Sequence, residues 1–455
     1  MSFTNKFVKI YKALLPSPFT IAIVLSFFAF IIALLFGTGK EGEFKPYTIL
    51  TYWENGLWNS GLLVFAMQMM LMLVLGHVLA LSKPVSHFIQ NVVSHLNSSA
   101  KAAAIVTLLT MLVAFFNWGL GLIFGAILAR KVAEESVRQG WKINYPLIAA
   151  AGYSGLMVWH GGFSGSSLAK IAEPGHLASL VPNGMALANI PESIDYGQTV
   201  FSTMNLTASV LLLLIVPIAM YWLGSRTEST PIKLNSHFSM DKVELIEGAE
   251  RLDHSRILGY SVGSLIIGYA LYKMFWVMGF THFFTPNNIN LLLLGLGIVF
   301  HQNFYYFLKA VDSAISGAAG ILIQFPLYFG IMGIMRDSEL ITQFSEYIAS
   351  VATTDSFTYF TFISAGLVNI LVPSGGGQWA IQGPLLIQTA NEIGAPLAKN
   401  IMAFAYGDQL TNMLQPFWAL PLLGITGLKA KQILPYSLFL FVVALPIFLV
   451  VLWVF

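Results

Sequence analysis

Asp408 is a carboxylate set within an otherwise apolar stretch, and its position shapes the reading of the whole chain. A charge at the centre of a bilayer costs about 2.5–3.5 kcal/mol on insertion scales, so it should face a bundle interior or a wet cavity. There it could accept a proton, coordinate a cation or orient a neighbour. His160 sits in a second interrupted apolar stretch, Trp159-His160-Gly161-Gly162-Phe163-Ser164-Gly165-Ser166-Ser167. A proton relay is its functional use, and a packed, satisfied ring is its structural one. The Asp408 stretch, Tyr406-Gly407-Asp408-Gln409 through Thr411-Asn412-Met413-Leu414-Gln415-Pro416-Phe417, is interrupted in the same way, and Pro416 frees a backbone carbonyl. Side-chain oxygens of Ser164, Ser166, Thr411 and Asn412 could complete a site, although Ser and Thr also bond back to their own helices.

Two turns stand beside these breaks. The first is Phe116-Asn117-Trp118-Gly119-Leu120-Gly121, and the second is Val372-Pro373-Ser374-Gly375-Gly376-Gly377-Gln378. Within a bilayer, non-helical backbone is tolerated only where protein or a water-filled cavity satisfies it. Such a tip leaves N–H groups at a helix start, which suit an anion, and carbonyls at the preceding helix end, which suit a small cation. The GGG run is no phosphate loop, because no Gly-Lys-Ser/Thr follows it. No Arg or Lys lies at either tip or centrally in either break, whereas a dicarboxylate or phosphate normally attracts Arg. The chemistry therefore favours one carboxylate with a small tail, with Trp118, Phe163, Trp379 and Phe417 available as apolar walls.

These residues must be positioned by membrane helices. The chain is 56% apolar and 10% charged, too few charges to clothe a soluble domain. Apolar runs near 19–36, 57–81, 146–170, 200–223, 257–279, 289–308, 315–335, 397–427 and 433–454 read as nine crossings. Runs near 103–130 and 357–391 read as re-entrant hairpins. Amphipathic segments at 84–98 and 338–351 suit helices lying flat at the interface. The absence of cysteine excludes disulfides and Cys-based metal sites. Lys6, Lys9 and Lys12 precede the first apolar run, which lacks a small-residue cleavage site and reads as an uncleaved crossing. Placing the N-terminus inside puts Lys83, Lys101, the basic cluster at 130–142, Arg226, Lys233, Lys242, Arg251, Arg256, Lys309, Lys429 and Lys431 on the inner face. Only Lys40, Lys45, Lys170, Arg336 and Lys399 then fall outside, and the C-terminus is also outside.

An internal repeat shares this order. Gln68 matches Gln324 and Phe88 matches Phe344, each 256 positions on, and the same shift sets Asn117 against Pro373. With slight slippage, Tyr153 meets Tyr406. The two copies run in opposite directions through the membrane, the pattern of a secondary transporter with paired broken helices.

The runs LVNILVPSGGGQWAIQGP, YGDQLTNMLQPFWALPLLGI and SGLMVWHGGFSGSSL resemble the short-chain fatty acid transporter family, within the broader ion transporter superfamily. The resemblance covers essentially the whole chain. It implies uptake of butyrate- or acetoacetate-like monocarboxylates driven by an ion gradient, a homodimerising scaffold domain and a transport domain moving as an elevator. By position, the hairpin signature falls on 117–121 and 374–378, and the broken-helix signature on 164–166 and 411–415. The superfamily's Ser-Asn-Thr hairpin motif is absent from both tips; Asn117 keeps the amide and Ser374 the hydroxyl.

The expectation is thus an all-α polytopic membrane protein of two inverted repeats in a bacterial inner membrane. Its parts are scaffold 1–82 and 257–336, amphipathic arms 83–98 and 337–352, transport domain 99–224 and 353–455, and a cytoplasmic loop 225–256. Candidate substrate residues are Asn117, Trp118, Gly119, His160, Ser164, Ser166, Ser374, Gly375, Gly376, Gln378, Asn412 and Gln415. Candidate coupling residues are Asn117, Gly121, Val372, Ser374, Asp408, Thr411 and Asn412, with sodium at the hairpin tips or a proton on Asp408 or His160. No cofactor and no nucleic-acid partner are expected; the bilayer and a second copy are. A carrier of another small organic anion is the alternative, and an enzyme or channel fits less well, since His160 and Asp408 read as isolated.

Overall fold

The computed structural model describes residues 17–37, 45–180, 190–230, 248–279, 283 and 285–455. Lys6, Lys9, Lys12, Lys40, Lys233 and Lys242, six of the charges that orient the chain, lie outside the described residues. So do 231–247 of the expected cytoplasmic loop and 181–189 of the preceding connection.

Every regular element among the described residues is helical. Among the described residues, seven helical segments are long and apolar enough to cross a membrane: Pro18–Phe36, Ser60–Leu81, Ser99–Phe116, Thr203–Arg226, Arg256–Val277, Phe304–Asp337 and Ala430–Val454. Six of them coincide with expected crossings, and Ser99–Phe116 is the first arm of the first hairpin. Their outer faces expose large apolar side chains, including Phe27 at 66%, Ile218 at 67% and Leu265 at 74%. Such faces suit hydrocarbon rather than water.

Two boundaries differ from expectation. The crossing placed at 289–308 is the helix Pro286–His301, which ends where Gln302 adopts a φ of 71°. A new helix, Phe304–Ala314, then starts with Asn303 Oδ1 accepting the Tyr306 N–H at 2.9 Å. The second difference is the helix Lys45–Leu57, hidden in sequence by Lys45, Glu54 and Asn55. It forms because its backbone nests on Ala319–Asp337. A Cβ on Gly56 would lie 2.3 Å from Phe329 O, and one on Gly333 would lie 2.3 Å from Tyr52 O. Small residues at such crossings let helix backbones touch.

The hairpins and breaks form where the turn residues place them. Ser99–Phe116 and Trp118–Gln139 reverse at Asn117, and Cβ positions on Gly121 and Gly125 fall 2.6 Å from Ala114 Cβ and 2.7 Å from Thr110 Oγ1. Phe357–Leu371 and Gly375–Glu392 form the second pair, joined across by Gln378 Nε2 donating to Ala365 O at 2.8 Å. The 146–170 run divides into Tyr145–Ala151, tight turns Ser154–Met157 and Trp159–Gly161, and Ser166–Ile171. The 397–427 run divides into Leu397–Thr411, the turn Asn412–Leu414 and Ala419–Thr426. The amphipathic segments are the helices Lys83–Val93 and Leu340–Val351. Gly407 carries Asp408 against the second hairpin, since a Cβ there would meet Phe362 O at 2.1 Å.

Candidate functional site

The two helix breaks satisfy each other's backbone. Tyr153 Oη, from the first, donates to Asn412 O of the second at 2.8 Å. In return, Gln409 Oε1 accepts the His160 N–H at 2.9 Å. Buried broken backbone would otherwise carry unpaired polar groups, each costing about 1–3 kcal/mol. Two irregular segments therefore stay irregular by being matched.

His160 and Asp408, isolated in sequence, meet here. His160 Nδ1 lies 2.6 Å from Asp408 Oδ2, and both side chains are buried. The Ser167 N–H donates to His160 Nε2 at 3.2 Å, so Nε2 carries a lone pair and the Nδ1 proton donates to Asp408. Ser167 Oγ also lies 2.9 Å from Nε2. Trp159 stacks on the imidazole at 4.5 Å between centroids. Asp408 Oδ1 is buried without a hydrogen-bond partner among the described residues.

Gly375 covers this pair. A Cβ there would stand 3.0 Å from His160 Cε1, 3.0 Å from Trp159 Cη2 and 3.3 Å from Asp408 Oδ2. Only glycine lets the second tip reach the buried carboxylate without displacing it.

The tips and breaks enclose a cavity of about 670 Å³. Its polar lining includes Asn117, Ser164, Ser166, Ser374 and the backbone of Gly375 and Gly376; its walls include Phe65, Trp118, Trp159, Phe163, Trp379 and Trp418. Trp118 and Trp418 meet edge to face at 4.8 Å. At the first tip, Asn117 Oδ1 accepts the Leu120 N–H at 2.9 Å and Ser164 Oγ accepts the Trp118 N–H at 3.0 Å. At the second, Ser374 Oγ accepts the Gly377 N–H at 3.2 Å. The first N–H groups of a helix have no partner within it. Gly375 and Gly376 thus bring the leading amides of an 18-residue helix to the cavity wall.

The remaining candidates stand behind the lining. Gly119 packs on Met72, with its Cβ position 2.5 Å from Sδ, and Gly121 packs on Ala114. Gln378 bridges to Ala365 O and to Gln382 Oε1. Val372 O accepts the Ser374 N–H at 2.7 Å. Thr411, Asn412 and Gln415 join a buried cluster around Asn369, whose Nδ2 donates to Asp408 O at 2.7 Å, Thr411 Oγ1 at 3.0 Å and Asn412 Oδ1 at 2.9 Å. Gln415 Nε2 donates to Asn369 O at 3.2 Å. Asn369 Oδ1 and Gln415 Oε1 are buried without partners among the described residues. These oxygens suit a small cation, because oxygen ligands are what such an ion takes. Phe417 lies behind the cavity, stacked on Phe325 at 4.2 Å.

Sequence reasoning passed over Asn369, Ser167, Gln409 and Lys170. Asn369 was detectable as the one polar side chain in LVNIL, since an amide inside an apolar arm needs partners. Lys170 lines the cavity, contrary to the expectation of a site remote from Lys, but its ammonium pairs with both Glu173 oxygens at 3.0 Å. At the mouth, Trp379 Nε1 donates to His176 Nε2 at 3.2 Å. Burial first, and then Lys170, hold the His176 imidazole below its ordinary range.

Comparison with known proteins finds relatives over almost the whole chain. A protein from Haemophilus influenzae named as a short-chain fatty acid transporter is 37% identical over 98% of this chain and 97% of its own length. One of the same name from Escherichia coli K12 is 36% identical over 93% and 92%. Among solved structures, the YdaH transporter of Alcanivorax borkumensis aligns over 95% of this chain and 98% of its own, with a TM-score of 0.46 and 13% identity. The family described as short chain fatty acid transporter matches residues 1–455. The chain therefore belongs to the short-chain fatty acid transporter family, whose members are bacterial multi-span membrane transporters and not enzymes.

Proposed function

We propose that the protein is a secondary active transporter that imports butyrate- or acetoacetate-like monocarboxylates across a bacterial inner membrane, coupled to a cation gradient by alternating access. One observation carries this reading: Gly375 and Gly376 offer helix-start amides to an aromatic-walled cavity whose only described Lys or Arg, Lys170, is already paired. Two amides and the helix dipole stabilise one carboxylate. The indole and phenyl walls suit its short apolar tail.

Coupling belongs beneath the tip. Asp408 Oδ1, Asn369 Oδ1 and Gln415 Oε1 are acceptors without donors among the described residues, which favours a proton or a sodium ion arriving there. The His160–Asp408 contact supports the proton, and the Asn369–Asn412 cluster supports sodium. Around this site we place nine crossings and two re-entrant hairpins, arranged as inverted repeats. The scaffold is 1–82 and 257–336, and 99–224 with 353–455 moves against it as an elevator in a homodimer with cytoplasmic N-termini. The arms are 83–98 and 337–352.

Butyrate counterflow into liposomes holding the purified protein tests the substrate, with protein-free liposomes as the control for passive acid leak. Accelerated exchange is expected; exchange no faster than the control would refute it. A dicarboxylate or amino-acid derivative is the second reading, favoured by Lys170 in the cavity wall, and competition by those anions separates the two.

A further inference from the structure

A second cavity, of about 510 Å³, lies beyond the first and has no part in the site described above. Its lining includes Ser316, Gly320, Gln324, Leu423, Lys429 and Lys431.

The two cavities lie at different heights along the same helices. Trp418, which precedes Ala419–Thr426, lines the first cavity, while Leu420, Leu423 and Leu428, along and beyond that helix, line the second. In Ser60–Leu81, Phe65 lines the first cavity, and Leu73 touches the Cβ position of Gly317 beside the second at 3.1 Å. That separation is eight residues, about 12 Å along the helix. Four packed rings adjoin both linings, since Phe65 and Trp418 line the first cavity and Phe325 follows Gln324 of the second in the chain. Phe325 stacks on Phe417 at 4.2 Å, Phe417 meets Trp418 at 4.8 Å, and Phe65 meets Trp418 at 6.0 Å. Phe65 and Phe325 come from the long helices, and Phe417 and Trp418 from the second break. The second cavity is also pinched at one wall, where a Cβ on Gly424 would fall 2.2 Å from Gly317 O.

Charge separates the two ends. The first cavity opens beside Lys170 and Glu173, an exposed and mutually neutralised pair. The second carries two exposed lysines that form no ion pair among the described residues. Basic residues of this kind mark the inner face of a membrane protein.

Building on the transport reading, we propose that the second cavity is the vestibule through which the same monocarboxylate passes at the opposite membrane face. Lys429 and Lys431 draw the anion, and the four aromatic rings are the barrier that alternates. A cluster of like charge at a low-dielectric mouth raises the local concentration of its counter-ion.

The chain has no cysteine, so single cysteines report cleanly. Ala169→Cys and Ala380→Cys probe the first cavity, and Ser316→Cys and Leu428→Cys the second. Each is labelled with a membrane-impermeant maleimide in right-side-out and in inverted vesicles. The two pairs are expected to react from opposite faces. Butyrate at ten times its Kd should slow labelling at Ala380→Cys about tenfold. The Lys429→Gln/Lys431→Gln double variant should raise the half-saturating butyrate concentration severalfold at the second face and leave it unchanged at the first. Labelling of both pairs from one face, or an equal change at both faces, overturns the vestibule while leaving the substrate site intact. Opposite-face labelling indifferent to butyrate overturns the substrate reading, and with it the ligand assigned to the vestibule.

Discussion

Replacing Gly375 by alanine adds one methyl group at the point where the second hairpin tip meets the buried His160–Asp408 pair. That methyl would stand 3.0 Å from His160 Cε1 and Trp159 Cη2 and 3.3 Å from Asp408 Oδ2, all closer than carbon atoms normally settle. The imidazole cannot retreat easily, because Asp408 holds one nitrogen at 2.6 Å and Ser167 the other. The tip itself must therefore shift by a few tenths of an ångström. Overpacking of this kind costs about 1–3 kcal/mol. Spent on the bound state, that is about a 5–150-fold loss of affinity. Gly376→Ala is the matched control, since its nearest neighbour would be Ser166 Cβ at 3.8 Å, an ordinary contact. Binding of radiolabelled butyrate to the purified variants, read beside their melting temperatures, measures both routes by which the cost can appear. Gly375→Ala should bind more weakly or melt earlier, and Gly376→Ala should stay within about threefold of the parent. Parent-like behaviour of Gly375→Ala, or an equal loss in both, would refute the claim that the tip rests on the pair.

Other outcomes follow from the same geometry. Asp408→Asn should damage gradient-driven uptake more than substrate exchange in liposomes; equal loss of both would assign the carboxylate a structural role. Asn369→Ala removes the amide whose two N–H groups are shared among Asp408 O, Thr411 Oγ1 and Asn412 Oδ1, at about 1–3 kcal/mol, so its melting temperature should fall clearly below that of a substitution on the lipid face. His176 binds its proton more weakly in the folded protein than in the unfolded chain. Stability should therefore decline as pH falls through the ordinary imidazole range toward the depressed value, and His176→Gln should flatten that part of a melting-temperature profile.

Much of the fold was legible because apolar run length and glycine placement are local signals. The α-helical interruptions at Asn117, at 372–374, at 152–165 and at 412–418 appear where polar and helix-breaking residues predict them. Helix Lys45–Leu57 was not legible, because its stability comes from glycine contacts with the distant segment around Phe329 and Gly333. The His160–Asp408 contact was hidden for the same reason, as its partners are 248 positions apart. Their shared burial could be inferred from the cost of intramembrane polar groups, but their meeting could not. Gln302 shows a further limit: nothing in VFHQNFYY forces the left-handed turn that ends one helix and starts the next.

The central claim is that one carboxylate binds at the second hairpin tip, above the His160–Asp408 pair. A structure of the protein with 4-bromobutyrate, located by the anomalous signal of bromine, tests it most directly. The account predicts bromine among Trp118, Trp379 and Trp418, with the carboxylate in hydrogen-bond reach of the Gly375 and Gly376 amides. Bromine bound elsewhere, with that tip empty at saturating ligand, would contradict it.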